Sequence, residues 1–506
     1  MLSIEVIRFT RNQRILSAFV VLLNIAVALY LLFVDSQRSP THDRSFSFPH
    51  ALATLPPNAS QSESIEVGSS SRTREIATLA SAMAEIIRLL IPEPSTANEY
   101  LAQHEPKTFR FYVYDNLSHE YTWQYSASCM KAKRRLSDTC DWGESVCGEK
   151  RLTRSPYSKR RLNRNGDLVL SKAFSSYQGI LRTYDPIDAD LFVVPYPSQA
   201  HFHCNQTSHE DVETRLLDRL AYFNKKTRRK HLFFSSAVRS ASNKFMGSLP
   251  LLVTIGPVDR QCRIGRNCGQ IVMPYVNTNP EYQPMVVQKN LRSLKDRKFA
   301  MVAKFNAYIS GNSMPRSDFL KVVGNVTAIA GFPVLISALG RRRTMPNERS
   351  VLEDYRNAIF CPCLRGDEPP QKRLFDVMMS GCIPVVLDFP SKDPGYRSHF
   401  ASMATSTRGA YPFAKGSFHG WPEMGLDYNE FMVTVNGTCG VSCIVPTLED
   451  LLLNHRDRLV NMQERLAKVI KVFSYGMEHN TLQHADAISA ILVQVKHYVD
   501  SLGQVS

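Results

Sequence analysis

The chain has 506 residues, 43% hydrophobic and 21% charged, with a formal net charge of +15. This length and balance fit two or three globular domains with a sizeable core. The positive charge favours anionic partners such as nucleotide phosphates, acidic glycans or membrane surfaces, and without zinc-finger spacing or a ribonucleoprotein motif nucleic acid is excluded as the expected partner.

Residues 1–14 carry Arg8, Arg11 and Arg14 and read as a cytosolic tail. The stretch from Ile15 to Val34 is 20 residues without a charge. At about 1.5 Å per residue it spans a bilayer core of about 30 Å. The arginines before it place the N-terminus in the cytosol and the rest of the chain in a lumen. A cleaved signal peptide is the alternative, but its apolar region is usually shorter and no A-x-A-like site follows. Sequons at Asn58, Asn116, Asn205, Asn325 and Asn436 agree with a lumenal bulk. So do the 11 cysteines, among which Cys262/Cys268 and Cys439/Cys443 are close pairs. The odd count leaves at least one cysteine unpaired, and sequence does not fix the pairing.

Residues 35–105 are rich in Ser, Thr and Pro and read as a lumenal stem. Within them Ile76, Leu79, Met83, Ile86 and Leu90 repeat at spacings of 3 and 4, a short heptad seam. That seam serves either dimerisation or packing on the folded part of the same chain. From residue 107 short apolar runs recur at 109–114, 191–195, 232–234, 251–255, 271–273, 299–303, 334–337, 359–361, 383–387 and 431–435. Several are continuous rather than alternating, as in parallel strands covered on both faces. Helical stretches such as 210–224 and 351–357 intervene. Strands alternating with helices imply α/β layers, and so many strands fit two doubly wound domains whose ligands lie at strand carboxyl ends. The boundary falls at 285–297, giving an N-terminal domain over 106–290 and a C-terminal domain over 291–506. Basic runs such as Lys131 to Arg135, Lys159 to Arg161, Arg228-Arg229-Lys230 and Arg341 to Arg343 read as solvated loops.

Residues 360–387 read as strand, loop, helix, turn and strand. The helix is expected from about Pro370 to Ser380, with Gly381 closing it. Its N-terminus would offer free N–H groups and partial positive charge to a diphosphate. Arg365 and Arg373 flank that end and suit bidentate phosphate contacts. Asp376 lies three residues after Arg373 on the same helical face, placed to accept hydrogen bonds from ribose hydroxyls. The rival reading of Arg373 and Asp376 is a surface ion pair.

This segment resembles the signature of the exostosin family, glycosyltransferase family 47. It matches at Phe360, Cys361, Gly366, Asp367, Arg373, Asp376, Gly381, Cys382, Ile383, Pro384 and Val385. It departs at Leu364, where the family has proline, and at Gln371, where it has a serine that would help hold phosphate. The run Arg182-Thr183-Tyr184-Asp185-Pro186 with 189–195 resembles a second family motif, and Phe111 to Asp115 its opening strand. Arg316 with Leu320 is similar to an element after the first strand of the second domain. Phe431 resembles a later strand and 485–487 the start of a closing helix. Where the family has G-R-D-H this chain reads Arg229-Lys230-His231, and a glycine after the strand at 299–303 is replaced near Lys304-Phe305.

The resemblance implies a GT-B fold, two facing Rossmann-like domains, and a Golgi type II membrane enzyme. It implies an inverting transfer from a nucleotide sugar to a glycan acceptor, an acidic one on charge grounds, with the donor held by the second domain and no metal or other cofactor required. The expected donor residues are Arg365, Gly366, Gln371, Arg373 and Asp376, with Arg316 or Lys304 adding charge. The catalytic base belongs to the first domain. Asp115 at a strand end, and His201 and His203 after the strand at 191–195, are candidates by position. Asp188-Ala189-Asp190 precedes its strand and suits a cap rather than a metal site. A catalytically weak partner subunit in a homo- or hetero-dimer is the alternative reading, and a lectin-like polyanion binder a third.

Overall fold

The computed structural model describes residues 63–91, 93–103, 109–132, 166–199, 201, 209–236, 251–254, 269–276, 291–306, 314–339, 348–364, 372–388, 411–418, 423–475 and 485–504. Two helices come first, α1 (Glu63–Leu90) and α2 (Pro94–Gln103). Six strands then form one sheet: β1 (Phe111–Val113), β2 (Arg182–Thr183), β3 (Leu191–Pro197), β4 (His231–Ser235), β5 (Leu251–Thr254) and β6 (Gly269–Val272). Their order is β2-β1-β3-β4-β5-β6, and every neighbouring pair is parallel. Helices α3 (Trp123–Ala132), α4 (Gly166–Ser176) and α5 (His209–Asp218) fall between these strands in the chain.

A second six-stranded sheet follows: β7 (Phe299–Asn306), β8 (Ala328–Ile329), β9 (Phe332–Leu339), β10 (Ala358–Pro362), β11 (Ile383–Asp388) and β12 (Val433–Asn436). Its order is β12-β11-β10-β7-β9-β8. Only β8, on the edge, runs antiparallel to its neighbour. Between and after these strands come α6 (Met314–Val323), α7 (Glu348–Arg356), α8 (Lys372–Met379), α9 (Ile444–Asn454), α10 (Arg456–Val469) and α11 (Ala487–Gln504).

Each of the ten apolar runs read from sequence coincides with a strand. The continuous runs have a physical cause: both faces of each sheet are covered. Leu191 and Val193 belong to one buried cluster, with α1, α4 and α11. Phe192 and Val194, pointing the other way, belong to a second cluster with α5. In the second sheet Val302 and Cys361 join the first cluster, whereas Met301 and Phe360 join a third with α6 and α9. Successive strand side chains point to opposite faces, so apolar residues are needed at every position. The two-residue strands β2 and β8 are additions, too short to show a period.

Several expectations are corrected. Helix α5 ends at Asp218 rather than 224, and α8 (Lys372–Met379) ends one residue before the expected 380, while its expected start at 370 lies outside the described residues. The stem reading of residues 35–105 fails over α1 and α2. Leu79, Ile86, Ile87, Leu90, Ala97 and Tyr100 are buried in the chain's own core, so this part of the heptad seam packs inward. The closing helix α11, assigned to the second domain, also reaches the first sheet: a Cβ on Gly269 would lie 2.5 Å from the Tyr498 ring. Cys439 pairs with Cys443, and Cys361 pairs with Cys382. Among the described residues no helix is long and apolar enough to cross a membrane. The segment from Ile15 to Val34, and the Cys262/Cys268 pair, lie outside those residues.

Candidate functional site

In an open parallel sheet, ligands lie beyond the carboxyl ends of strands where the order reverses. Both sheets have such a point. In the first sheet β2 lies on one side of β1 and β3 on the other; in the second β9 and β10 flank β7. The sequence-derived residues that can be placed fall at these two points.

At the second switch point, the Arg373 guanidinium lies 5.9 Å from the centre of the Phe305 ring on β7. Its Nη1 donates to the Leu364 carbonyl, 3.5 Å away, just past β10. Arg373 thus bridges the ends of β7 and β10 from the first turn of α8. The same Phe305 ring meets Phe319 of α6 edge-on at 5.6 Å. Arg316, three residues before Phe319 and on the same helix face, is buried. Lys304 is ion-paired with Asp354 of α7, and the Tyr355 hydroxyl donates to the Lys304 carbonyl at 3.5 Å. Phe305, near where the signature has a glycine, gives Arg373 an aromatic face to rest on.

Asp376 does not pair with Arg373. Lys372, one turn earlier, donates to both its carboxylate oxygens at 2.8 and 2.9 Å. Burial raises the Tyr355 hydroxyl pKa above its ordinary value, with Arg373 opposing and Asp376 adding to the rise. Burial likewise pushes the Cys363 thiol up to about 12, so this free cysteine is an inert wall and not a nucleophile. Arg365, Gly366 and Gln371 lie outside the described residues.

Helix α8 is fixed at its far end. Gly381 has φ 71°; its N–H reaches the Met378 carbonyl at 2.8 Å and the Cys382 N–H reaches that of Val377 at 3.1 Å, the Schellman pattern. A Cβ on Gly381 would stand 2.5 Å from Leu291. Arg297, buried beneath this turn, donates to the carbonyls of Ala358, Gly381 and Arg292 at 2.5, 2.7 and 3.0 Å. Burial and the neighbouring Arg292 lower its pKa to about 10, which leaves it charged at neutral pH. The disulfide Cys361–Cys382 adds a covalent tie between β10 and the end of the same helix. Sequence reading took Arg297 only as part of a polar connection; nothing in its neighbours marks it as buried.

At the first switch point Asp115 follows β1. It is ion-paired with Arg182, whose side chain is 3% exposed while that of Asp115 is 52% exposed. Arg182 also donates to the carbonyls of Ser175 and Tyr177, each at 2.9 Å. The arginine of the second motif thus pins the candidate carboxylate. His201 is buried beside Tyr121, Tyr125 and Tyr196, with ring centres 6.2, 6.1 and 5.3 Å away. Burial lowers its pKa, opposed by a hydrogen bond to the Glu120 backbone. His203 lies outside the described residues.

Two further buried groups lie in this region, of which Asp167 was missed from sequence. Asp167, fully buried at the start of α4, accepts from the Gln199 N–H at 2.7 Å and the Ser236 hydroxyl at 2.5 Å. It staples the segments after β3 and β4 together. His231, in place of the signature histidine, is buried against Phe192 with ring centres 4.8 Å apart. Its Nδ1–H donates to the Thr227 carbonyl and its Nε2 accepts from the Tyr114 hydroxyl, both at 2.9 Å. Burial holds its pKa down at about 4. Among the described residues no group of three His, Cys, Asp or Glu side chains could hold a metal ion.

The arrangement offers a cationic, aromatic-backed helix start at one switch point and an accessible carboxylate at the other. A family model described as the Exostosin GT47 domain matches residues 105–415. No curated protein matches the chain.

Proposed function

The chain belongs to the exostosin GT47 family of glycosyltransferases, and on that premise we propose that it is a Golgi type II membrane enzyme of GT-B arrangement that transfers a sugar from a nucleotide donor to a glycan, with inversion. The observation that carries the site is Arg373, held on Phe305 across the ends of β7 and β10 at the start of α8. A helix start and a guanidinium suit a diphosphate. Arg365, Gly366 and Gln371 precede that helix in the sequence and are our further donor-contact candidates, with the buried Arg316 adding charge. Lys304 supports the site through its tie to Asp354.

In the transfer an acceptor hydroxyl oxygen bonds to the anomeric carbon as the bond to the diphosphate oxygen breaks. The hydroxyl proton passes to a base, and the charge left on the diphosphate is met by Arg373, Arg365 and the helix N-terminus. These cations make a metal unnecessary in our reading. Asp115 is our choice of base: half its side chain is accessible, whereas His201 is enclosed by three tyrosines. Arg182 keeps the Asp115 carboxylate oriented.

A second reading, a catalytically weak partner subunit, is favoured by one observation. Asp376, the ribose-binding candidate, is already engaged by Lys372. Nucleotide-sugar binding and transfer by the full-length protein, across a panel of donors, separate the two. The enzyme reading expects Arg373→Ala to weaken donor binding roughly 10- to 150-fold, the worth of a charged hydrogen bond. It expects Asp115→Asn to abolish transfer with donor affinity retained. Donor binding unchanged in folded Arg373→Ala refutes the donor site; an unbroken transfer rate in Asp115→Asn refutes the base.

A further inference from the structure

Residues 225–230 read Lys-Lys-Thr-Arg-Arg-Lys, five cations in six positions. None of the five forms an ion pair with a carboxylate among the described residues, although other surface cations do: Arg110 with Asp188, Arg292 with Glu353, Lys415 with Glu423. Lys225, Lys226 and Arg229 are exposed, and Arg228 and Lys230 half-buried.

The backbone beneath them is fixed. The Asn224 side-chain oxygen accepts from the N–H groups of Lys226 and Thr227 at 2.9 and 3.3 Å. The Thr227 hydroxyl accepts from the Asn224 N–H at 3.2 Å and donates to the Tyr222 carbonyl. Arg228 N–H reaches the Asn224 carbonyl, and Lys230 N–H that of Thr227, both at 2.8 Å. His231, buried below, holds the same Thr227 carbonyl at 2.9 Å. Concentrated like charge raises the energy of the unbound protein, and a pre-ordered turn leaves only side chains to be ordered on binding.

We propose that this turn is a second binding site, which anchors an acidic polysaccharide through its sulfate or carboxylate groups. It rests on the glycan-acceptor reading above. The turn immediately precedes β4, at the amino end of a strand of five residues, about 16 Å long. It therefore lies at the amino ends of the strands of the first sheet, whereas Asp115 follows the carboxyl end of β1. An acceptor of several sugars could engage both, and the site would hold a growing chain between transfers. An anionic membrane is the rival occupant. Interfacial binding draws on apolar side chains as well as charge, and the exposed large apolar residues, such as Tyr184 and Ile187, are none of them in this turn.

The test uses the full-length protein and its K225A/K226A/R229A variant. Binding is measured to a heparin decasaccharide, an oligogalacturonide decamer and phosphatidylserine vesicles, at several salt concentrations, with nucleotide-sugar binding in parallel. The parent is expected to bind at least one oligosaccharide. The variant is expected to lose at least tenfold in oligosaccharide affinity at low salt, with vesicle binding unchanged, and its salt slope to fall by about two, near 0.7 per cation removed. Equal oligosaccharide affinity and slope in the variant, no oligosaccharide binding by the parent, or a larger loss of vesicle binding than of oligosaccharide binding in the variant would overturn the proposal. Retained oligosaccharide binding without any nucleotide-sugar binding would instead sink the transferase site and leave the anchor standing.

Discussion

The residues that shape this protein most are polar groups held where no solvent reaches. His231 is the sharpest case. Its folded pKa of about 4 lies below the unfolded value of 6.5, because burial penalises the charged ring by more than the bond to the Thr227 carbonyl favours it. Unfolded chain therefore takes up a proton that the folded chain refuses. Stability from this group is complete above pH 6.5 and drains away as pH falls toward 4, by on the order of 3 kcal/mol. His201, also depressed by burial, adds in the same direction. We expect His231→Gln, which cannot titrate, to flatten the fall in urea midpoint between pH 7 and 4.5. A parent and variant with the same pH dependence would show that His231 does not carry the effect. Sequence marked the position, as the histidine of the run Arg229-Lys230-His231 set against the family's G-R-D-H, but not its burial. Asp115 and Arg373 were legible as candidates, whereas their pairings with Arg182 and Phe305 were not, since each pairing joins elements far apart in the sequence.

At the scale of elements, α8 is the piece on which the proposed donor site depends, and it has only eight residues. A helix of that length is marginal in water, so its order comes from its ends and its packing. The Schellman turn at Gly381, the Arg297 guanidinium and the disulfide Cys361–Cys382 all act at the end remote from the ligand. The disulfide spans 21 residues of chain, a loop whose closure is worth about 3 kcal/mol. We expect C361A/C382A to lower the thermal midpoint and to weaken nucleotide-sugar binding together. A variant with the parent's midpoint and affinity would show that the bond is dispensable. The helix itself was readable from the Pro-rich start and the glycine stop. Its disulfide was not: parallel register, with Cys361 opposite Pro384, brings together two cysteines that the chain keeps apart.

At the scale of the whole molecule, α1 and α2 change what counts as the catalytic unit. Glu75 accepts from the Tyr177 hydroxyl and the Ile180 N–H, both at 3.3 Å, on the first-sheet side. Further along α1, Glu85 pairs with Lys471, the Leu89 carbonyl accepts from Arg465 at 3.1 Å, and the Leu90 carbonyl accepts from Gly425 at 2.9 Å. Tyr100 of α2 hydrogen-bonds His497 of α11. These helices strap both halves. Each large apolar side chain they bury is worth about 1.5–3 kcal/mol, against a total stability of about 5–15 kcal/mol. A chain begun at residue 105 is therefore expected to aggregate or to melt far below one begun at residue 63. Equal melting midpoints would show the strap to be dispensable. The sequence by itself determined the strands and the place of α8, because two-sided burial and helix-end chemistry are written in local order. It also carried the family signature. Only the tertiary structure decided that the heptad seam turns inward, that Arg182 pins Asp115, and that Lys372 takes Asp376. Each of those depends on which surfaces meet, and an apolar stripe or a lone charge carries no record of its partner.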